Sequence, residues 1–152
     1  MEDTIEQAKY TIQQAADLCG LPSSTLRYYE SIGLIAPPTR MYNGHRRYTD
    51  SDLANLNTIA CLNATGLPIE SMREYLDNAS RADASAEIVI LEEHAARLAR
   101  ELRTLQLRMR YVELKTAWWR AFSDDDQQQL DALGAQAQVA ARELKASLEG
   151  EE

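Results

Sequence analysis

Ten side chains between positions 88 and 119 recur three and four residues apart without a slip: Ile88, Leu91, Ala95, Leu98, Leu102, Leu105, Met109, Val112, Thr116 and Trp119. That period puts them on one seam of a continuous helix, at the a and d positions of a coiled coil. At 1.5 Å per residue the seam is about 48 Å long, and an apolar stripe of that length demands a partner helix. One candidate is a second copy of the same helix. The other is the chain's own tail, where Leu130, Leu133, Ala137, Leu144 and Leu148 are also helically spaced. The second copy is favoured, because Gly134 and the alanine-rich tail offer little bulk to fill the holes. Trp118 and Trp119 are read as a cap on the coiled coil rather than a ligand cage.

The other demanding stretch is residues 23–48, SSTLRYYESIGLIAPPTRMYNGHRRY. A Ser-Ser-Thr cluster able to cap a helix opens it, and Gly33 stands where a left-handed C-cap is expected. Pro37-Pro38 cannot continue a helix, and Asn43-Gly44 favours a type I′ hairpin turn. A short helix is thus followed at once by a small β-ribbon. Arg27, Tyr28 and Tyr29 fall on the helix and Arg40, Arg46 and Arg47 on the ribbon, concentrating guanidinium and phenol donors where phosphates could be met. With the polar residues at the helix start and the ribbon tip, the candidate DNA-facing set is Ser24, Thr25, Arg27, Tyr28, Tyr29, Arg40, Tyr42, Asn43, Gly44, His45, Arg46, Arg47 and Tyr48.

Charge agrees with a selective binder rather than a coat. The 152 residues carry a net charge of −8. Residues 1–80 contribute −4, residues 81–122 +2 and residues 123–152 −6, whereas residues 23–48 hold four Arg against one Glu. Local balance governs, because salt screens charges beyond about 8–10 Å. No apolar run is long enough to span a bilayer and there is no signal peptide, so a soluble, cytoplasmic protein is expected. Two cysteines, Cys19 and Cys61, make no disulfide framework.

Along the chain, residues 1–9 are polar and read as frayed. Thr11 with Gln14 reads as a capping box opening a helix that ends at Gly20, and Leu21-Pro22 turns into the next helix. After the ribbon, residues 49–52 offer a second capping-box start for a helix ending at Gly66. Pro68 begins another, with Ile69, Met72 and Leu76 inward. A DNA-binding domain over 10–80 is followed by a linker, a helix over 84–122, and an acidic tail over 123–152. That tail opens on the helix-start signal Ser-Asp-Asp-Asp and either folds back or stays partly disordered. The fold class is mainly α: a winged helix-turn-helix domain followed by a long dimerisation helix.

No Walker loop, dinucleotide fingerprint, His-Glu-x-x-His or pair of metal-spaced cysteines is present, so neither an enzyme nor a cofactor or metal site is expected. Cys19 reads as a small core residue. His45 is placed at the ribbon tip and His94 on a solvated helix face.

A helix-turn-helix, then TLRYYESIGLI, then a wing of the form Arg, spacer, Asn-Gly-X-Arg-X-Tyr is similar to the winged helix of the MerR family of bacterial transcription regulators. The resemblance covers residues 10–122. It implies a homodimer joined by an antiparallel coiled coil through Leu91, Leu98, Leu102, Leu105, Met109, Val112 and Trp119. It also implies binding to an over-long promoter spacer, twisting of the DNA when a signal arrives, and RNA polymerase as a partner. No cysteine follows Cys61, which argues against a thiolate metal sensor, and about thirty residues beyond the long helix cannot build a drug pocket. TIACLNATGLPIESM resembles a branch that responds to aldehydes and other thiol-modifying electrophiles, which implies Cys61 as the sensor of a stress-responsive activator. A buried, inert Cys61 is the competing reading. An architectural, excisionase-like DNA-bending protein without a sensor is the competing function.

Overall fold

The computed structural model describes residues 8–41 and 43–150. It divides into two compact units, one up to Ile90 and one from Leu91 onward.

In the first unit, α1 (Ile12–Cys19) opens on the expected capping box: Thr11 Oγ1 accepts from the Gln14 N–H at 3.2 Å, and Gln14 Oε1 accepts from the Thr11 N–H at 2.9 Å. Gly20 ends it at φ 66°, with the Leu21 N–H returning to Ala16 O and the Gly20 N–H to Asp17 O. This Schellman closure swings Leu21 inward. Helix α2 (Ser23–Ser31) closes the same way at Gly33, φ 70°, with Leu34 N–H on Tyr29 O and Gly33 N–H on Glu30 O. Its start departs from expectation. Pro22 is the N-cap and no side chain caps it, while the Ser23 hydroxyl instead donates to Gln13 Oε1 across the turn.

Strands β1 (Thr39–Arg40) and β2 (Arg46–Arg47) pair antiparallel, Thr39 with Arg47 and Arg40 with Arg46. The turn is not type I′. The Met41 N–H donates to His45 O at 3.0 Å, so the loop between them is three residues long rather than two. Gly44, at φ 75°, donates to Met41 O and takes a left-handed position, and Asn43 Oδ1 accepts from the His45 N–H. Tyr10 adds a bridge to Tyr48, tying the segment before α1 to the wing.

Helix α3 (Asp50–Ala64) opens on the second capping box, Thr49 with Asp52, and α4 (Ile69–Ser80) follows Pro68. Two apolar clusters hold these elements. Ala15, Ala16, Leu26, Tyr48 and Leu56 make one, and Tyr29, Leu34, Ile59, Leu67 and Met72 make the other, against which Ile90 packs. Leu26, Ile59 and Met72 are fully buried, and each such side chain contributes about 1.5–3 kcal/mol by leaving water.

The long helix α5 (Ala84–Ser123) crosses from the first unit into the second. Phe122 carbonyl bonding and a left-handed Asp125 make the turn, and Asp126, rather than Ser123, caps α6 (Gln127–Glu149) by accepting from the Gln129 N–H at 3.0 Å. The tail is therefore a helix folded back on α5. Thr104 meets Ser147 at 2.9 Å, Arg110 meets Glu143 at 3.3 Å, and the Trp118 indole lies beside Gly134. Contacts that advance along one helix and retreat along the other define an antiparallel hairpin.

The hairpin uses a seam different from the one the three-four period picks out. Thr104, Leu107, Tyr111, Leu114, Trp118 and Ala121 are buried or half-buried, themselves three and four apart. Leu91, Leu98, Leu102, Leu105, Met109, Val112 and Trp119 remain 38–62% exposed. Gly134, taken from the sequence as too small to fill a hole, leaves room for the largest side chain of the facing helix. His94 corrects a further expectation. It is buried, 6% exposed, with the Arg97 guanidinium at its Nδ1, rather than on a solvated face.

Candidate nucleic-acid interface

Helix α2 presents its two faces unequally, as its sequence dictates. Leu26 and Tyr29, three apart, are buried, and this leaves Ser24, Arg27 and Tyr28 on the exposed side. Tyr29 is thus a correction: its ring lies in the second apolar cluster, 4% exposed, and is no DNA-facing donor. Tyr48 is another. It is 1% exposed and anchors the first cluster. Both aromatic rings bury more apolar area than their hydroxyls could repay at the surface. Tyr42 lies outside the described residues.

The wing meets α2 through Glu30. Its carboxylate, 13% exposed, accepts from Arg46 Nε at 2.7 Å and Arg46 Nη2 at 3.4 Å, with Arg40 Nη2 at 3.8 Å. A two-pronged guanidinium–carboxylate pair of this kind is directional as well as strong. Arg46, expected to meet DNA phosphates, is instead engaged with α2. Arg27, Arg40, Asn43, Gly44 and His45 are exposed, while Thr25 and Arg47 are half-buried. The free end of α2 adds backbone N–H groups and positive dipole to this surface.

Two further residues position the surface without belonging to it. Arg73 of α4 donates through Nη2 to Ile32 O at 2.8 Å, clamping the C-terminal end of α2. Asp50 receives Lys9 Nζ at 2.7 Å and the Tyr10 hydroxyl at 2.9 Å, bonds that hold its carboxyl below the usual carboxylate range. Sequence inspection missed both, and also the bridging role of Glu30. Each pairs residues far apart in the chain, and only the charge complementarity of Glu30 with the wing arginines hinted at it.

The two thiols differ. Cys61 is exposed, on the outer face of α3, so burial does not make it inert. Cys19 is half-buried, with Sγ 3.8 Å from Leu53 O, and burial pushes its thiol pKa up. Among the described residues no group of three or more His, Cys, Asp or Glu could hold a metal ion, and no helix is long and apolar enough to cross a membrane.

Residues 10–79 match the model of the MerR HTH family regulatory proteins. An uncharacterized HTH-type transcriptional regulator of Bacillus subtilis, YyaN, is 40% identical over 67 residues, 44% of this chain and 49% of that one. A probable heavy metal-dependent transcriptional regulator of Haemophilus influenzae is 34% identical over 98 residues, 62% of this chain and 76% of that one. The chain spans from about a quarter to about four fifths of the length of the curated relatives it matches, and about half of YyaN. These relatives are transcription regulators rather than enzymes. In fold, the chain resembles the crystal structure of HiNmlR, a MerR family regulator lacking the sensor domain, bound to promoter DNA. The TM-score is 0.60 at 24% identity, over 82% of this chain and 94% of that one.

Proposed function

The chain belongs to the MerR HTH family of regulatory proteins, and from that premise we propose that it is a homodimeric, sequence-specific regulator of transcription acting on promoter DNA in the cytoplasm, together with RNA polymerase. The observation that carries this reading is the surface formed by α2 and the wing. Arg27 and Tyr28 are exposed on the helix, Arg40 and the residue 43–45 tip are exposed on the wing, and Glu30 with Arg46 fixes the two against each other. In this arrangement α2 enters the major groove with Ser24, Thr25 and Arg27 nearest the bases, and Arg40 and Arg47 neutralise phosphates. The exposed seam of α5 receives a second copy, which places two such surfaces on two half-sites.

The signal in this account is a reactive electrophile at Cys61. The exposed thiolate adds to an aldehyde carbon: an S–C bond forms, the carbonyl π electrons move to oxygen, and the proton lost by the thiol ends on that oxygen as a hemithioacetal. The adduct shifts the bound dimer between DNA-distorting states without releasing it. In vitro transcription checks the idea. Cys61→Ser keeps operator affinity and loses induction by an aldehyde, whereas Cys19→Ser keeps both. Equal induction of wild type and Cys61→Ser contradicts the sensor role.

A further inference from the structure

Within the first unit, a cleft of about 370 Å³ opens between the root of the wing, α3 and α4. Leu34, Tyr48, Leu56 and Ile59 are buried beneath it, while Ala36, Asn55 and Ser80 stand exposed around it. The volume is at the low end of the roughly 300–1,000 Å³ typical of small-molecule sites. One polar feature sets it apart from a packing defect, since the Tyr48 hydroxyl, buried and without a hydrogen-bond partner, is sealed off beneath the cleft wall. Asp52 brings the one charged side chain of the lining; a single oxygen of its carboxylate, Oδ2, takes the Thr49 N–H at 2.8 Å, and a carboxylate has capacity for further donors.

We propose that this cleft binds a small cationic amphiphile, an amine on an apolar body, with the ammonium on Asp52 and the body against the half-buried Ile35 and Leu76. An anion finds no basic side chain in the lining. The consequence is mechanical: residues 34–36 lead into β1 and Tyr48 follows β2, so a ligand here touches both roots of the wing.

The test uses the full chain, isotopically labelled, titrated with phenethylamine, 2-phenylethanol and 3-phenylpropionate while backbone amide resonances are followed by NMR. Phenethylamine produces saturable shifts at Leu34, Ile35 and Leu56, the alcohol binds about tenfold more weakly or worse, and the carboxylate leaves those amides unmoved. Asp52→Asn, which keeps an acceptor for the Thr49 N–H, abolishes the preference for the amine. Tyr48→Phe raises Tm in the absence of probe, confirming a fold that is intact. Equal binding of all three probes, shifts mapping outside the cleft, no saturable shift, or an unchanged amine preference in Asp52→Asn overturns the proposal.

Discussion

Arg27 and Arg46 carry the same charge and divide their work. Arg27 projects from α2 with nothing packed over it, so Arg27→Ala lowers DNA affinity and leaves stability unchanged. Arg46 holds the Glu30 carboxylate, which is only 13% exposed. Removing its partner leaves a largely desolvated charge, a loss of about 1–3 kcal/mol. Arg46→Ala therefore lowers both urea midpoint and DNA affinity, and Glu30→Gln in the same chain restores much of the stability; an unchanged midpoint in Arg46→Ala would refute the bridge. Glu87 makes a second residue-scale prediction. Both of its carboxylate oxygens are shut off from solvent without a hydrogen bond of ordinary geometry. Burial raises its pKa, with Asp83 adding and the Ala79 backbone opposing. A raised carboxylate pKa penalises the folded state once pH rises through the window from the unfolded to the folded value, and the penalty is absent below the unfolded value. Glu87→Gln is thus more stable than wild type at neutral pH, and denaturation curves of the two converge in acid. At this scale the sequence was least legible. Tyr28, Tyr29 and Tyr48 are one residue type in one motif, and only the packing of Leu26 and Leu56 around Tyr48 and of Ile59 and Met72 around Tyr29 decides which two turn inward.

At the scale of elements, sequence legibility tracks how local the determinant is. Thr11 with Gln14, Gly20, Gly33 and Thr49 with Asp52 act through bonds spanning a few residues, and each boundary they signal is present. The wing turn failed because Asn43-Gly44 is compatible with two loop lengths, and the ribbon twist selects between them. Helix α5 carries two apolar seams offset around its circumference, so a search for one regular period finds the bulkier and overlooks the second, where Tyr111 and Trp118 alternate with smaller side chains. The two seams give opposite mutants. Leu105→Asp puts a charge on the exposed seam, separates the proposed dimer and leaves helix content intact. Ala140→Asp puts one where α6 is fully buried, costs several kcal/mol, and melts α6 in circular dichroism. A Leu105→Asp chain that still sediments as a dimer would place the interface elsewhere.

For the whole molecule, the charge distribution fits selective rather than indiscriminate DNA contact. The chain totals −8, and its cations are gathered on α2, the wing and the long helix while the tail is acidic. A bulk potential of that sign disfavours general coating of DNA, leaving binding to a surface small enough to need two copies for affinity. In the proposed assembly two α2-and-wing surfaces, joined through α5, therefore read one promoter. DNase footprinting across the promoter beside the gene for this protein tests it most directly. The expected result is a protected segment with two-fold symmetry, half-sites spaced by about 34 Å or a multiple of it, lost together in Arg27→Ala and in Leu105→Asp. Protection of a single asymmetric half-site, or a footprint that survives both substitutions, would contradict it.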